Sequence, residues 1–178
     1  MRVDERDRRA SAQRLRVVGI DPGSSKTGYA FVDFEGARVV DLEVGQWSIS
    51  RKQGAAESLA ALADAAGCWL DGVRPDAAAV ESLFTHRNMR SALVLAEARG
   101  VLLSTIGRLR IPLFEYPPAT IKKIICGAGN ADKERVRQAL LLTVPGLQRF
   151  PLKDYGSDAS DALAVAVCHQ AHRHLNRF

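Results

Sequence analysis

The sequence predicts an α/β fold built on a mixed five-stranded sheet with flanking helices. Three observations predict it. Three strand-like segments follow one another at the start of the chain, a helix–strand–helix–strand series comes next, and helices close it. The first strands are joined by short turns, which makes them antiparallel neighbours.

The elements run in order as follows. Residues 1–14 are polar and lack core periodicity, so they are expected to form a flexible N-terminal tail ahead of one domain over 15–178. Leu15–Ile20 is a short apolar run suited to a buried strand. Asp21-Pro22-Gly23-Ser24-Ser25 is a turn by composition. Tyr29–Phe34 and Ala37–Trp47 flank Glu35-Gly36 as a hairpin. Residues 55–73 place Leu59, Leu62, Ala66, Trp69 and Leu70 at three- and four-residue steps, which predicts a helix. Asp76–Val80 is the fourth strand. Residues 89–107 form a long apolar helix whose Gly100 points to close packing against another element. Ile111–Tyr116 is the fifth strand, and Pro117-Pro118 starts a short helix through Cys126. Ala131–Val144 and residues 157–175 are the last helices, separated by a long connection over Pro145–Gly156.

A chain of 178 residues suits one compact domain. It has 47% hydrophobic and 25% charged residues, ordinary for a soluble globular protein. No apolar run approaches the ~18 residues of a membrane span, and the N-terminus has no apolar core of a secretory signal. Three scattered cysteines, Cys68, Cys126 and Cys168, fit a reducing cytoplasm and read as small buried apolar side chains. Net charge is +5 but uneven. Residues 1–16 carry +3, residues 30–80 carry −4, and residues 84–137 carry +6. A basic half beside an acidic half points to a polyanion on one face, although a solvated mixed-charge surface has the same composition.

Four acids stand out. Asp21 closes the first strand, Glu81 closes the fourth, and Asp158 and Asp161 begin the last helix on one face. Ends of strands in α/β sheets are where sites form. Converging carboxylates repel and raise each other's pKa unless a cation joins them. An all-oxygen set without a His or Cys cluster favours Mg²⁺ or Mn²⁺ over zinc. Two such ions, ~3.5–4 Å apart, can clamp the attacking and leaving oxygens of a phosphoryl displacement. Each acid also has a plainer reading: Asp21-Pro22-Gly23 as a turn, Asp158 as a helix cap, Glu81 as a solvated strand end.

Taken together, GIDPGSSKTGYA, VESLF followed by RNMRSALVLAEARGV, FEY, IKKIICGAGNADKERV and SDASDALAVAVCH resemble the successive motifs of the RuvC Holliday junction resolvases. The match runs from about Arg16 to His169 in order. The resemblance implies an RNase H-like fold of the integrase superfamily and a homodimer that nicks opposing strands of a four-way DNA junction symmetrically. It implies Asp21, Glu81, Asp158 and Asp161 as metal-binding catalytic carboxylates for Mg²⁺, with Mn²⁺ as the alternative. A metal-activated water would attack, leaving 5′-phosphate and 3′-hydroxyl ends. Phe84 matches the aromatic that stacks on a base at the crossover. Lys122, Lys123 and Lys133 match basic positions of the DNA cleft, and Arg137 shares a helix face with Lys133. His86, Arg87 and Arg90 are placed beside the junction, and Ala92, Ala96 and Gly100 lie on the helix that resembles the family's dimer helix. The family also implies work beside the RuvA–RuvB branch-migration complex. Two departures stand: the N-terminal tail is longer than the family's, and some members have histidine where this chain has Asp158. His169, eight residues beyond Asp161, reads as a structural or surface residue.

Two rival readings remain at this point. A catalytically silent junction-binding protein would bind without turnover. An actin-like ATPase lobe uses a similar Asp-x-Gly-Ser turn, but it needs two lobes, and this chain lacks a glycine-rich phosphate cradle.

Overall fold

The computed structural model describes residues 14–49, 54–82, 89–152 and 156–175. Its elements are β1 (Arg14–Asp21), β2 (Lys26–Glu35), β3 (Arg38–Ser48), α1 (Ala55–Val73), β4 (Ala77–Glu81), α2 (Met89–Arg108), β5 (Leu113–Tyr116), α3 (Pro118–Cys126), α4 (Lys133–Thr143), a 3₁₀ turn (Leu147–Arg149) and α5 (Ser157–Leu175). The sheet order is β3-β2-β1-β4-β5. β2 is antiparallel to both of its neighbours, β1 and β3, while β4 and β5 run parallel to β1. This is the mixed five-stranded sheet expected from the sequence.

Local chemistry sets the element ends. The β2–β3 turn uses Gly36 at φ 61°, a left-handed conformation that glycine adopts without a Cβ penalty. α3 begins with Pro118 in its first turn and ends at Gly127, φ 73°. α4 begins at Lys133, two residues later than Ala131, because the Asp132 side chain accepts a hydrogen bond from the Arg135 N–H at 2.8 Å and so caps the helix. β1 begins at Arg14, the last residue of the expected tail. Arg14 is held there by pairing with Glu35 across the ladder and by an ion pair to Asp33 at 2.7 Å. Residues 1–13 lie outside the described part.

Strand alternation divides the core into two layers. Val18, Ile20, Ala78 and Val80 face α1 and α2, where Leu62, Ala66, Leu70, Ala98, Leu102 and Ile106 are buried. Val17 and Ala79 face the other way, into a cluster with α3, α4 and α5. Gly19 shares that second face. A Cβ there would lie 2.1 Å from the Ala162 carbonyl oxygen and 2.7 Å from the Ala166 nitrogen. At Gly28 a Cβ would lie 2.0 Å from the Asp158 carbonyl oxygen. α5 therefore rests on β1 and β2 through backbone contact.

Two expectations are corrected. Gly100 is not a close-packing site within this chain, since a Cβ there meets nothing within 4 Å. It lies on the outer side of α2, away from the buried stripe of Leu95, Ala98, Leu102 and Ile106. Of the thiols only Cys168 is buried. Cys126 is partly buried, and Cys68 is exposed on the outer side of α1. Among the described residues no helix is long and apolar enough to cross a membrane.

Gly19→Ala should destabilise the fold by roughly 1–3 kcal/mol or more, because the added methyl meets backbone that cannot step aside. Chemical denaturation measures this, and an unchanged midpoint would show that α5 lies farther from β1.

Candidate active site

The same alternation that sorts the core also aims the acids. Asp21 follows Val17 and Gly19 on the α5 side of β1, and Glu81 follows Ala77 and Ala79 on that side of β4. The two strands are adjacent and parallel, so both acids emerge at one end of the sheet. α5 starts over this end, with Asp158 in its first turn and Asp161 one turn farther on. Asp21, Glu81 and Asp161 line one cavity of about 250 Å³ together with Pro118, Ile121, Lys122, Lys133, Val136 and Ala164. Asp158 lies near enough for its charge to reach Asp21.

These acids are crowded and half-buried. Burial pushes the Asp21 carboxyl up to about 7, with the charges of Glu81, Asp161 and Asp158 adding to the rise and Lys133 opposing it. Burial also raises Glu81, helped by Asp161 and opposed by Lys133 and Lys122. The Lys133 ammonium forms an ion pair with Asp161. Among the described residues no three Asp, Glu, His or Cys side chains already form a closed metal-ligating group. The donor set nevertheless fits a hard divalent cation: the donors are all carboxylate oxygens, and the raised Asp21 pKa marks negative charge that a cation would relieve.

The basic residues divide. Lys122 is partly buried and lines the acid cavity, while Lys123 is exposed on a neighbouring face of α3. Lys133 and Arg137 line a second groove of about 320 Å³ with Glu134, Leu152, Ser157, Ser160 and Asp161. The two cations do share a face, but each has an acid partner: Lys133 has Asp161, and Arg137 donates to Glu134 at 2.7 Å. Arg90 is exposed at the start of α2. Phe84, His86 and Arg87 lie outside the described residues.

His169 is fully buried in α5. Its Nδ1 pairs with the Tyr116 hydroxyl at 2.8 Å, and the Phe114 ring lies against it at 4.4 Å. Its other nitrogen is buried without a hydrogen-bond partner among the described residues. Burial holds its pKa down at about 4, so it is a neutral structural residue. Tyr116 pairs with Glu81 across β4 and β5 and so ties the strand end that carries Glu81 to the helix that carries Asp158 and Asp161. The sequence reading named neither this link nor the Lys133–Asp161 pair. Phe114 and Tyr116 at alternate positions on the last strand were the available signal.

A sheet of this order, with acids at the ends of two adjacent central strands and on the helix that covers them, defines an RNase H-like nuclease. A family model described as crossover junction endodeoxyribonuclease RuvC matches residues 17–169. A protein of that name from Chloroflexus aurantiacus is 37% identical over 155 residues, covering 87% of this chain and 92% of its own length. One from Anaeromyxobacter dehalogenans is 41% identical over 160 residues, covering 88% of this chain and 81% of its own. The solved structure of Thermus thermophilus RuvC in complex with a Holliday junction substrate superposes with a TM-score of 0.79 at 28% identity, covering 91% of this chain and 96% of that one. The chain belongs to the RuvC family of crossover junction endodeoxyribonucleases.

The folded pKa of Asp21 lies above its unfolded value of 3.8, at about 7. Asp21 therefore favours the metal-free fold at low pH, and that contribution is lost as pH rises through about 7. Asp21→Asn should accordingly gain stability over the parent as pH is raised, reaching roughly 2–4 kcal/mol by pH ~8. Paired urea titrations in chelator across pH would show this. A constant difference between the two proteins would remove Asp21 from the buried cluster.

Proposed function

We propose that this protein resolves four-way (Holliday) DNA junctions in recombination and repair by metal-assisted, paired symmetric nicking. The observation that carries the reading is the cavity shared by Asp21, Glu81, Asp161 and Lys122, at the start of the helix that also bears Asp158. In this reading Asp21, Glu81, Asp158 and Asp161 hold the metal. A bound Mg²⁺, or Mn²⁺, would supply Lewis-acid stabilisation of the phosphate and activation of water. Lys122 brings positive charge to the scissile phosphate, and Lys133 brings it to the DNA backbone beside that phosphate. Lys123, Arg137 and Arg90 are basic or exposed positions available to the flanking backbone, with Phe84 and Arg87 assigned to the crossover by motif alone.

The paired nicks require two sites, and α2 supports a homodimer. Met89 is 77% and Leu93 61% exposed. With Ala96 and Gly100 they form an apolar, exposed outward stripe at helical spacing, and a Cβ at Gly100 would meet nothing within 4 Å among the described residues. Residues 15–178 act as one nuclease domain behind the N-terminal tail, in the cytoplasm, beside the RuvA–RuvB branch-migration complex. The cytoplasm and the branch-migration complex follow from family membership.

The test is cleavage of a labelled synthetic four-way junction with and without Mg²⁺ or Mn²⁺, beside matched linear duplex. Symmetric nicks in the junction alone are expected. Asp21→Asn, Glu81→Gln and Asp158→Asn should each lower cutting at least ~10²-fold while leaving junction binding intact. Full activity in any of them would sink the assignment. Binding without metal-dependent cutting in the parent would establish a silent junction binder instead. Replacing Lys122 and Lys133 by alanine should reduce the slope of log affinity against log salt by about 2. An unchanged slope would take both residues off the DNA face. Leu93→Glu should yield a monomer by light scattering and lose paired nicking; a dimer of parental mass would place the interface elsewhere.

A further inference from the structure

We infer that Lys133 is an exchangeable internal counter-ion: without metal its ammonium holds Asp161, and a divalent cation completes its site as that ammonium moves to the neighbouring groove. The inference rests on the reading of the carboxylates as the metal site and goes beyond it.

Three observations carry it. First, Lys133 and Asp161 line both the acid cavity and the second groove, so the pair forms the wall between them. The lysine tether thus reaches two places. Second, the two partners differ in freedom. The Lys133 side chain is 70% exposed, whereas that of Asp161 is 22% exposed on the buried face of α5. The backbone beneath Lys133 is fixed by the Asp132 cap and by buried Val136 and Leu140. Only the lysine side chain is therefore free to move. Third, the Asp161 that this ammonium holds is the acid whose charge acts on both Asp21 and Glu81, so the pair sits within the carboxylate cluster itself.

The second groove offers that ammonium a destination. Its lining carries the Ser157 and Ser160 hydroxyls and Arg137 beside the acids Glu134 and Asp161, so a backbone phosphate there is met by the hydroxyls and by a Lys133 that has left Asp161. Arg137 is held in a two-point bond to Glu134, while Lys133 is a point charge on a flexible stem and changes partner readily. A cation entering the acid cavity and a phosphate entering the groove then help each other. The phosphate draws Lys133 off Asp161, and the metal drives it toward the phosphate. By linkage the two effects are equal. Metal loading is thereby suppressed away from DNA.

The experiment is calorimetric titration of Mn²⁺ into the full chain without DNA, for the parent, Lys133→Ala, Lys133→Gln and Lys122→Ala. Circular dichroism checks that each variant is folded. Both Lys133 variants should bind Mn²⁺ ~3- to 30-fold more tightly than the parent, as expected for loss of a competing, partly exposed ion pair. Lys122→Ala removes a charge from the same cavity but leaves the Asp161 pair, and its affinity should change much less. Parent-like Mn²⁺ affinity in both Lys133 variants would overturn the inference and leave the metal-site reading standing. Equal tightening in Lys122→Ala would also overturn it, because the effect would then be the general field of the cavity. No Mn²⁺ uptake by any form would overturn the metal-site reading and the inference together.

Discussion

At Gly19 and Gly28 the last helix meets the sheet through backbone, with no side chain between them. The rest of the site depends on this contact. A helix packed on side chains alone sits roughly 10 Å from a sheet, the spacing of ordinary layers. Here α5 comes in closer over β1 and β2, and its first turn lies over the end of β1. Asp158 and Asp161 are therefore brought to Asp21 by the packing of α5, and Glu81 by the register of β4 beside β1. Small residues along α5, including Ala159, Ala162 and Ala166, are buried for the same reason.

That closeness has an electrostatic cost. Four acids from three elements share a half-buried place, and nothing in the apolar core offsets them. The protein answers locally with Lys133 on Asp161 and with the charge of Lys122 beside Glu81. Asp21, the most enclosed, keeps the strongest bias toward its neutral form. The energy that crowds these carboxylates is supplied by the two apolar layers on either side of the sheet.

Much of this was legible in the sequence. The periodicity of residues 55–73 and the apolar stripe after Ser157 gave two helices at their observed ends, and short apolar runs with the Glu35-Gly36 turn gave the strands. The acids were legible because each directly follows or begins an apolar run and so must sit at the edge of the core. Their meeting was not. Spacing places Asp21, Glu81 and Asp161 on separate elements, and only the tertiary approach of α5 brings them together. The Tyr116–His169 link and the Lys133–Asp161 pair span 53 and 28 residues, and no local pattern encodes such partners. The start of α4 was misplaced for a local reason: Asp132 spends its side chain on a cap, and a hydrophobic count does not see that.

His169 and Asp21 make an instructive pair. Burial lowers the imidazole from 6.5 to about 4 and raises the carboxyl from 3.8 to about 7. Acidification therefore weakens the fold through the histidine, which the unfolded chain protonates first, and strengthens it through the aspartate. The two windows nearly coincide and their slopes have opposite sign. The two contributions thus oppose each other across mildly acid conditions while the charge at the carboxylate end of the sheet changes. For this fold, a small change in global stability is no sign that the carboxylate cluster has kept its protonation state.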